Sequence, residues 1–250
     1  MKLARFRHNG REGFGIVSED GIETVSGDLF DLGKRTGAVL SLSEVSLMPP
    51  LYPKKIICVG FNYRAHMTEM PDIATKNPTL TLKSQNTVIG SGETIILPKK
   101  SKQVEHEAEL GIVIGRSGYK IKKPEEHIFG YTIVNDVTAR DLEREMTQWS
   151  ASKSFPTFCP VGPHVDTDIN PSDLRISCKV NDRIRQDSRT SLMIYGPGKV
   201  VEFVSQFMRL ERGDLIATGT VPGVGLLADG DFVEITIEGI GVLRNHAKLE

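Results

Sequence analysis

Three carboxylates set beside two apolar stretches carry the strongest chemical suggestion in this chain. Glu107-Ala108-Glu109 opens the run Leu110-Gly111-Ile112-Val113-Ile114, and Asn135-Asp136 follows Tyr131-Thr132-Ile133-Val134. Residues two apart on a strand face the same side, so Glu107 and Glu109 would project together with Cα atoms about 7 Å apart. Asp136, closing another strand, could complete the set. Three carboxylates without a thiolate or imidazole pattern suit a hard cation, Mg²⁺ or Mn²⁺, with positions left for water and substrate. An isolated E-x-E is more often the solvated face of an edge strand, so the company these residues keep decides the matter.

His66 and Glu69 lie three apart in Asn62-Tyr63-Arg64-Ala65-His66-Met67-Thr68-Glu69. On a helix they share a face and can hydrogen-bond. A carboxylate beside an imidazole fixes its tautomer, the pairing of a general base; a surface His–Glu pair is the competing reading. Arg140 follows Asp136 closely and can hold a substrate carboxylate in a bidentate pair. Thr138 and Asp141 resemble a capping box with Asp in place of Glu. Lys153 near a metal can neutralise a developing enolate, although most lysines are solvated. His106 would alternate to the face opposite Glu107 and is expected to be structural or to stand behind the metal ligands. The glycine-rich stretch Gly213 to Gly225 can bring backbone N–H groups to an anion, or form a tight turn. It matches neither a P-loop nor a dinucleotide fingerprint.

These residues need a scaffold, and the composition favours sheets. The 250 residues include 24 glycines, and the short apolar runs are rich in β-formers. Strands are predicted over 2–7, 13–18, 22–26, 55–60, 79–82, 94–97, 108–115, 129–135, 174–180, 214–218, 231–237 and 241–247. Asp20-Gly21 reads as a hairpin turn. Helices are predicted from an Asp28 cap to about 35, over 62–69, from Thr138 to Met146, and over Pro197 to Met208 with Val200, Val201, Val204, Phe207 and Met208 as one stripe. The proline cluster Met48-Pro49-Pro50-Leu51-Tyr52-Pro53 breaks both helix and strand, so the chain is divided into a small N-terminal β domain, 1–50, and a catalytic domain, 51–250. A net charge of −1 argues against nucleic acid as a partner. Cys58, Cys159 and Cys178 are odd in number and widely spaced, which excludes a disulfide framework. No apolar run reaches membrane-span length and the N-terminus lacks a signal-peptide core, so a cytoplasmic protein without membrane contact is expected.

Together the stretches resemble the fumarylacetoacetate hydrolase family. The matching segments are Val59-Gly60-Phe61-Asn62-Tyr63 through His66 and Glu69, His106 to Gly111, and Gly130-Tyr131-Thr132 through Asn135-Asp136 to Asp141. Lys153-Ser154-Phe155 leading to Phe158-Cys159-Pro160, Gln186-Asp187-Ser188 with Thr190 to Met193, and Gly213 to Gly225 complete the set. The set is specific to the family, although no single member of it is.

The resemblance implies an α+β, β-rich chain built as a mixed β-sandwich roll. It implies a Mg²⁺ or Mn²⁺ ion on Glu107, Glu109 and Asp136, and a homodimer. His66 with Glu69 would activate water, and Lys153, Arg140, Glu143 and Thr220 would assist catalysis or substrate binding. The expected reaction is cleavage of a C–C bond, by hydrolysis or decarboxylation, in a small 2-oxo acid such as an acylpyruvate or oxaloacetate. The alternative is isomerisation of an unsaturated diacid, as in 2-hydroxyhepta-2,4-diene-1,7-dioate isomerases. Three departures stand out: Glu143 where the family has glutamine, Pro156 where it has aspartate, and the order Val221-Pro222.

Overall fold

In the computed structural model, which describes residues 1–69 and 78–250, the apolar runs become the interior of a large mixed sheet. From one edge its strands run Arg35–Leu40, Gly21–Val25, Arg11–Ser18, Lys2–His8 and Cys159–Asp166. It continues with Ile128–Asn135, Ala108–Ile114, Leu215–Ala217, Ile56–Gly60 and Thr79–Lys83. The N-terminal strands are continuous with the rest through Lys2↔Asp166 and Leu3↔Val165. Ala108–Ile114 is buried at all seven residues. Strands covered on both faces need apolar residues at every position, which is why this one reads as an unbroken run.

One cover is a second sheet, ordered Arg183–Arg189, Arg175–Val180, Phe232–Ile237, Gly241–Leu249 and Thr94–Leu97. Its strands alternate as half-buried strands must, and Ile176, Cys178, Val180, Val233, Ile235 and Ile237 meet Leu110 and Ile133 in one core. The other cover is the helix Pro197–Val204, whose Val200, Val201 and Val204 pack on Ile57, Val59, Ile112 and Ile216. A third, small sheet joins Val104–His106 to Thr138–Ala139 and Gly225–Leu226. No helix among the described residues is long and apolar enough to cross a membrane.

Several expected elements differ. No helix follows Asp28: its carboxylate accepts from the N–H groups of Phe30 and Asp31, and the turn leads into the strand Arg35–Leu40. The helix expected over 62–69 is limited to Arg64–Met67. The capping box at Thr138 does not form. Thr138 pairs with Glu105 in the small sheet, the helix is Arg140–Glu145, and the Asp141 carboxylate is taken by Ser101 Oγ and the Lys102 N–H. The last helix ends at Val204, and Phe207 is exposed against Phe203. Several strands escaped the pattern, the longest of them Cys159–Asp166 and Arg183–Arg189. Cys159–Asp166 carries two prolines: Pro163 falls where its pairing with Ile128–Asn135 slips register, and Pro160 lies opposite Ile89 in a short parallel pairing. Arg183–Arg189 is a polar edge strand, charged as exposed edges commonly are.

One buried base ties stability to pH. His164, in the strand Cys159–Asp166, is 7% exposed and its Nε2 has no hydrogen-bond partner. Burial pushes its pKa down to about 4. A base with a depressed folded pKa resists the proton that the unfolded chain accepts. Its contribution is complete above the ordinary histidine value of about 6.5 and is lost as pH falls through about 4. Urea unfolding of the parent and His164→Leu at pH 7.5 and 4.5 should show the gap shifting toward the variant in acid, by on the order of 2–3 kcal/mol. A gap independent of pH would remove His164 from the account.

Candidate active site

The site forms where the small sheet hands the chain to the large one. Val104–His106 belongs to the first and Ala108–Ile114 to the second, so Glu107 sits at the crossing rather than on the same strand as Glu109. The crossing is stitched to the end of Ile128–Asn135: the Asp136 N–H donates to the Glu107 carbonyl at 2.9 Å, and Asn135 Oδ1 accepts from the Glu107 N–H at 3.0 Å. Glu109, in register with Val134, accepts from the Gly219 N–H at 2.8 Å. Gly219 is needed there. It takes φ +99, and a Cβ would lie 2.7 Å from that of Asn62. One oxygen from each of Glu107, Glu109 and Asp136 lies within 4.8 Å of the others, all buried.

Electrostatics organise the surroundings. Lys153 Nζ spends its three protons on Glu107 (3.0 Å), Asp136 (2.8 Å) and the Thr138 hydroxyl (2.8 Å). Arg140 pairs through Nε with Glu105 at 2.8 Å and through its two terminal nitrogens with Glu107 and Glu143. Lys83, fully buried, pairs with Asp136 and donates to the carbonyls of Val137 and Phe158. Burial opposes the charge on Glu107, yet Lys153 and Arg140 hold its carboxyl well below the usual range. Burial likewise opposes Asp136, and Lys153 with Lys83 keep it low. Glu109 differs. Burial, then Asp136 and Glu107, push its carboxyl well above the usual range.

Five buried carboxylates thus face three cations: Glu105, Glu107, Glu109, Asp136 and Glu143 against Lys83, Arg140 and Lys153. With all five ionised, as they would be around a divalent cation, the excess is two negative charges, the charge of one such ion. Glu109 is the member of the set with no ion pair among the described residues. Oxygen donors that converge on a charge deficit of this size fit a hard divalent ion.

Of the residues singled out in the sequence, His66, Glu107, Glu109, Asp136, Arg140, Glu143, Lys153 and Thr220 line one cavity. Glu69 stands behind His66. Its carboxylate accepts from His66 Nδ1 at 2.8 Å and, through the other oxygen, from the Gly223 N–H at 2.9 Å. Arg140 is committed to protein carboxylates rather than left free. The Thr220 hydroxyl donates to the Ala108 carbonyl at 3.1 Å. Phe61, at φ 60, and Trp149 wall the cavity; a Cβ on Gly60 would lie 2.9 Å from the Trp149 ring. His106 is buried outside the cavity lining on Gln186.

Sequence reasoning missed Lys83 and the roles of Asn62 and Gln186. Lys83, at the end of the strand Thr79–Lys83, looks locally like any solvated lysine. Asn62 is fully buried and ties the Tyr195 and Thr218 carbonyls together at 2.9 and 2.7 Å. An asparagine next to Gly60-Phe61 was the only hint of it.

Comparisons with known proteins bear on the family and the fold. Residues 55–248 match the family described as fumarylacetoacetate (FAA) hydrolase C-terminal, and residues 1–50 match one described as Rv2993c-like, N-terminal. The mitochondrial oxaloacetate tautomerase Fahd2a of Rattus norvegicus is 41% identical over 217 residues, 81% of this chain and 69% of its own. The crystal structure of a 5-carboxymethyl-2-hydroxymuconate delta-isomerase from Mycobacterium smegmatis is similar over 100% of both chains, with TM-score 0.92 and 40% identity. A fumarylacetoacetate hydrolase from the psychrophilic Exiguobacterium antarcticum also covers 100% of both chains, with TM-score 0.90 and 34% identity. With the match extending from residue 55 to residue 248 and these relatives beside it, the chain belongs to the fumarylacetoacetate hydrolase family.

Proposed function

We propose that this chain is a divalent-cation-dependent enzyme that moves a proton at the carbon beside the keto group of a small 2-oxo acid, interconverting enol and keto forms. The observation that carries this reading is the opening of His66, backed by Glu69, into the same cavity as Glu107, Glu109 and Asp136. The reaction type is supported by the tautomerase of Rattus norvegicus and the isomerase of Mycobacterium smegmatis. Mg²⁺ or Mn²⁺ held by the three carboxylates would supply Lewis acidity to the keto and carboxylate oxygens of such a substrate.

The chain's own groups do the rest. The Nδ1 proton of His66 is committed to Glu69, so Nε2 carries the lone pair that takes the substrate proton and returns it. Lys153 keeps Glu107 and Asp136 charged and in place. Phe61 and Trp149 restrict water around the reacting carbon. C–C cleavage is the second reading, supported by the hydrolase of Exiguobacterium antarcticum. Hydrolysis would use the same base on a water that attacks the distal carbonyl, and decarboxylation would need no water. Following loss of the enol absorbance of oxaloacetate, beside release of pyruvate from acylpyruvates and oxaloacetate, separates the two. Pyruvate release without enol consumption would reverse their order.

Three outcomes are expected. Chelation should abolish turnover and Mn²⁺ or Mg²⁺ should restore it, and Glu109→Gln should weaken Mn²⁺ binding in calorimetry without unfolding the chain. Full turnover in chelated protein would sink the metal requirement. His66→Ala should lower kcat by about 10²–10⁴, the usual contribution of a general base, with Mn²⁺ affinity unchanged. Parental kcat would place the proton transfer on another group. Glu143→Gln should lower KM for oxaloacetate, because Arg140 then carries charge that one carboxylate no longer cancels. An unchanged or higher KM would mean that the Arg140–Glu143 pair is not felt by the substrate.

A further inference from the structure

Gln186 lies outside the cavity lining but joins two backbone segments that shape the acidic triad, the one carrying Glu107 and Glu109 and the one carrying the Gly219 N–H. It comes from the edge strand Arg183–Arg189 of the second sheet, yet is fully buried. Its Oε1 accepts from His106 Nδ1 at 3.0 Å and from the Ala108 N–H at 3.1 Å. Its Nε2 donates to the Thr220 hydroxyl at 2.9 Å and to the Val221 carbonyl at 2.6 Å. A primary amide has two acceptor sites and two donor hydrogens, and all four are used.

The placement of these partners is what matters. His106 and Ala108 flank Glu107, and Ala108 also separates Glu107 from Glu109. Thr220 follows Gly219, whose N–H holds Glu109. The Thr220 hydroxyl returns to the Ala108 carbonyl and closes the loop. The amide also fixes the His106 tautomer: with Nδ1 donating to Gln186, Nε2 is the bare nitrogen, and it is buried without a partner. We propose that Gln186 is the positioning residue of the triad, setting the spacing of Glu107 and Glu109 against the Gly219 N–H and thereby the affinity for a divalent cation.

The inference rests on the metal reading above, and its test separates the two. Mn²⁺ titration calorimetry on the full chain gives affinity independently of turnover. Groups that orient metal ligands typically contribute about 10–100-fold to affinity. Gln186→Leu should therefore weaken Mn²⁺ binding at least tenfold. Asn245→Leu is the control. Asn245 is another buried amide of the same sheet, donating to the carbonyls of Gly90 and Glu93. Its loss should lower the unfolding midpoint but leave Mn²⁺ affinity within twofold. Should Gln186→Leu fail to fold, Thr220→Val, which removes one arm of the clamp at nearly constant shape, decides; a weakening of threefold or more supports the proposal. Parental affinity in the decisive variant, or equal weakening in Asn245→Leu, overturns it. No Mn²⁺ binding by the parent chain would overturn the metal reading and this proposal with it.

Discussion

Negative charge gathered out of reach of water is the constraint on which this structure depends. Each buried carboxylate without a counter-charge costs several kcal/mol or takes up a proton. Glu107 and Asp136 escape that choice through Lys153, Arg140 and Lys83, and each of those cations is itself buried and needs its carboxylates. The arrangement is reciprocal, so removing one member strands another. Glu109 lies outside it, held only by a backbone N–H. The fold has therefore placed a carboxylate with no ion pair among the described residues next to two that are paired, and a cation is the group that such a place favours.

Satisfying this constraint uses sheet ends rather than sheet middles. The small sheet made by Val104–His106, Thr138–Ala139 and Gly225–Leu226 takes up segments that continue three strands of the large sheet, Ala108–Ile114, Ile128–Asn135 and Leu215–Ala217. Glu107, Asp136 and the Gly219–Thr220 turn all lie in the connections between the two sheets. Apolar residues fill the sandwich on either side, so polar groups concentrate where strands stop.

The same division explains what was legible in the sequence. Ala108–Ile114 and Ile128–Asn135 were readable because burial writes itself into an unbroken apolar run, and the carboxylates were readable as interruptions of those runs. The His66–Glu69 pair was readable from a spacing of three. Lys83 was not, because nothing local distinguishes a counter-ion from a solvated lysine; its partner lies across the sheet. The capping expected at Thr138 and Asp141 failed for a related reason. Both side chains serve distant partners, the Lys153 ammonium for one and the Ser101–Lys102 turn for the other. Cys159–Asp166 was hidden by prolines that tertiary pairing tolerates. Glu143 was flagged as a departure, and its pairing three residues back to Arg140 could be foreseen from helix geometry.

The long reach of the contacts at Glu109 and Glu69 also bears on how the molecule comes into being. Gly219 and Glu109 are 110 residues apart in sequence, and Gly223 and Glu69 are 154 apart. Contacts of such separation close late, since loop entropy must be overcome before they return anything. A nascent or partly folded chain therefore holds its acidic residues dispersed, with no pocket in which to trap an ion. A cation taken up at the triad would then act as a thermodynamic lock on the finished molecule, stabilising it by mass action, and not as a template around which the chain assembles.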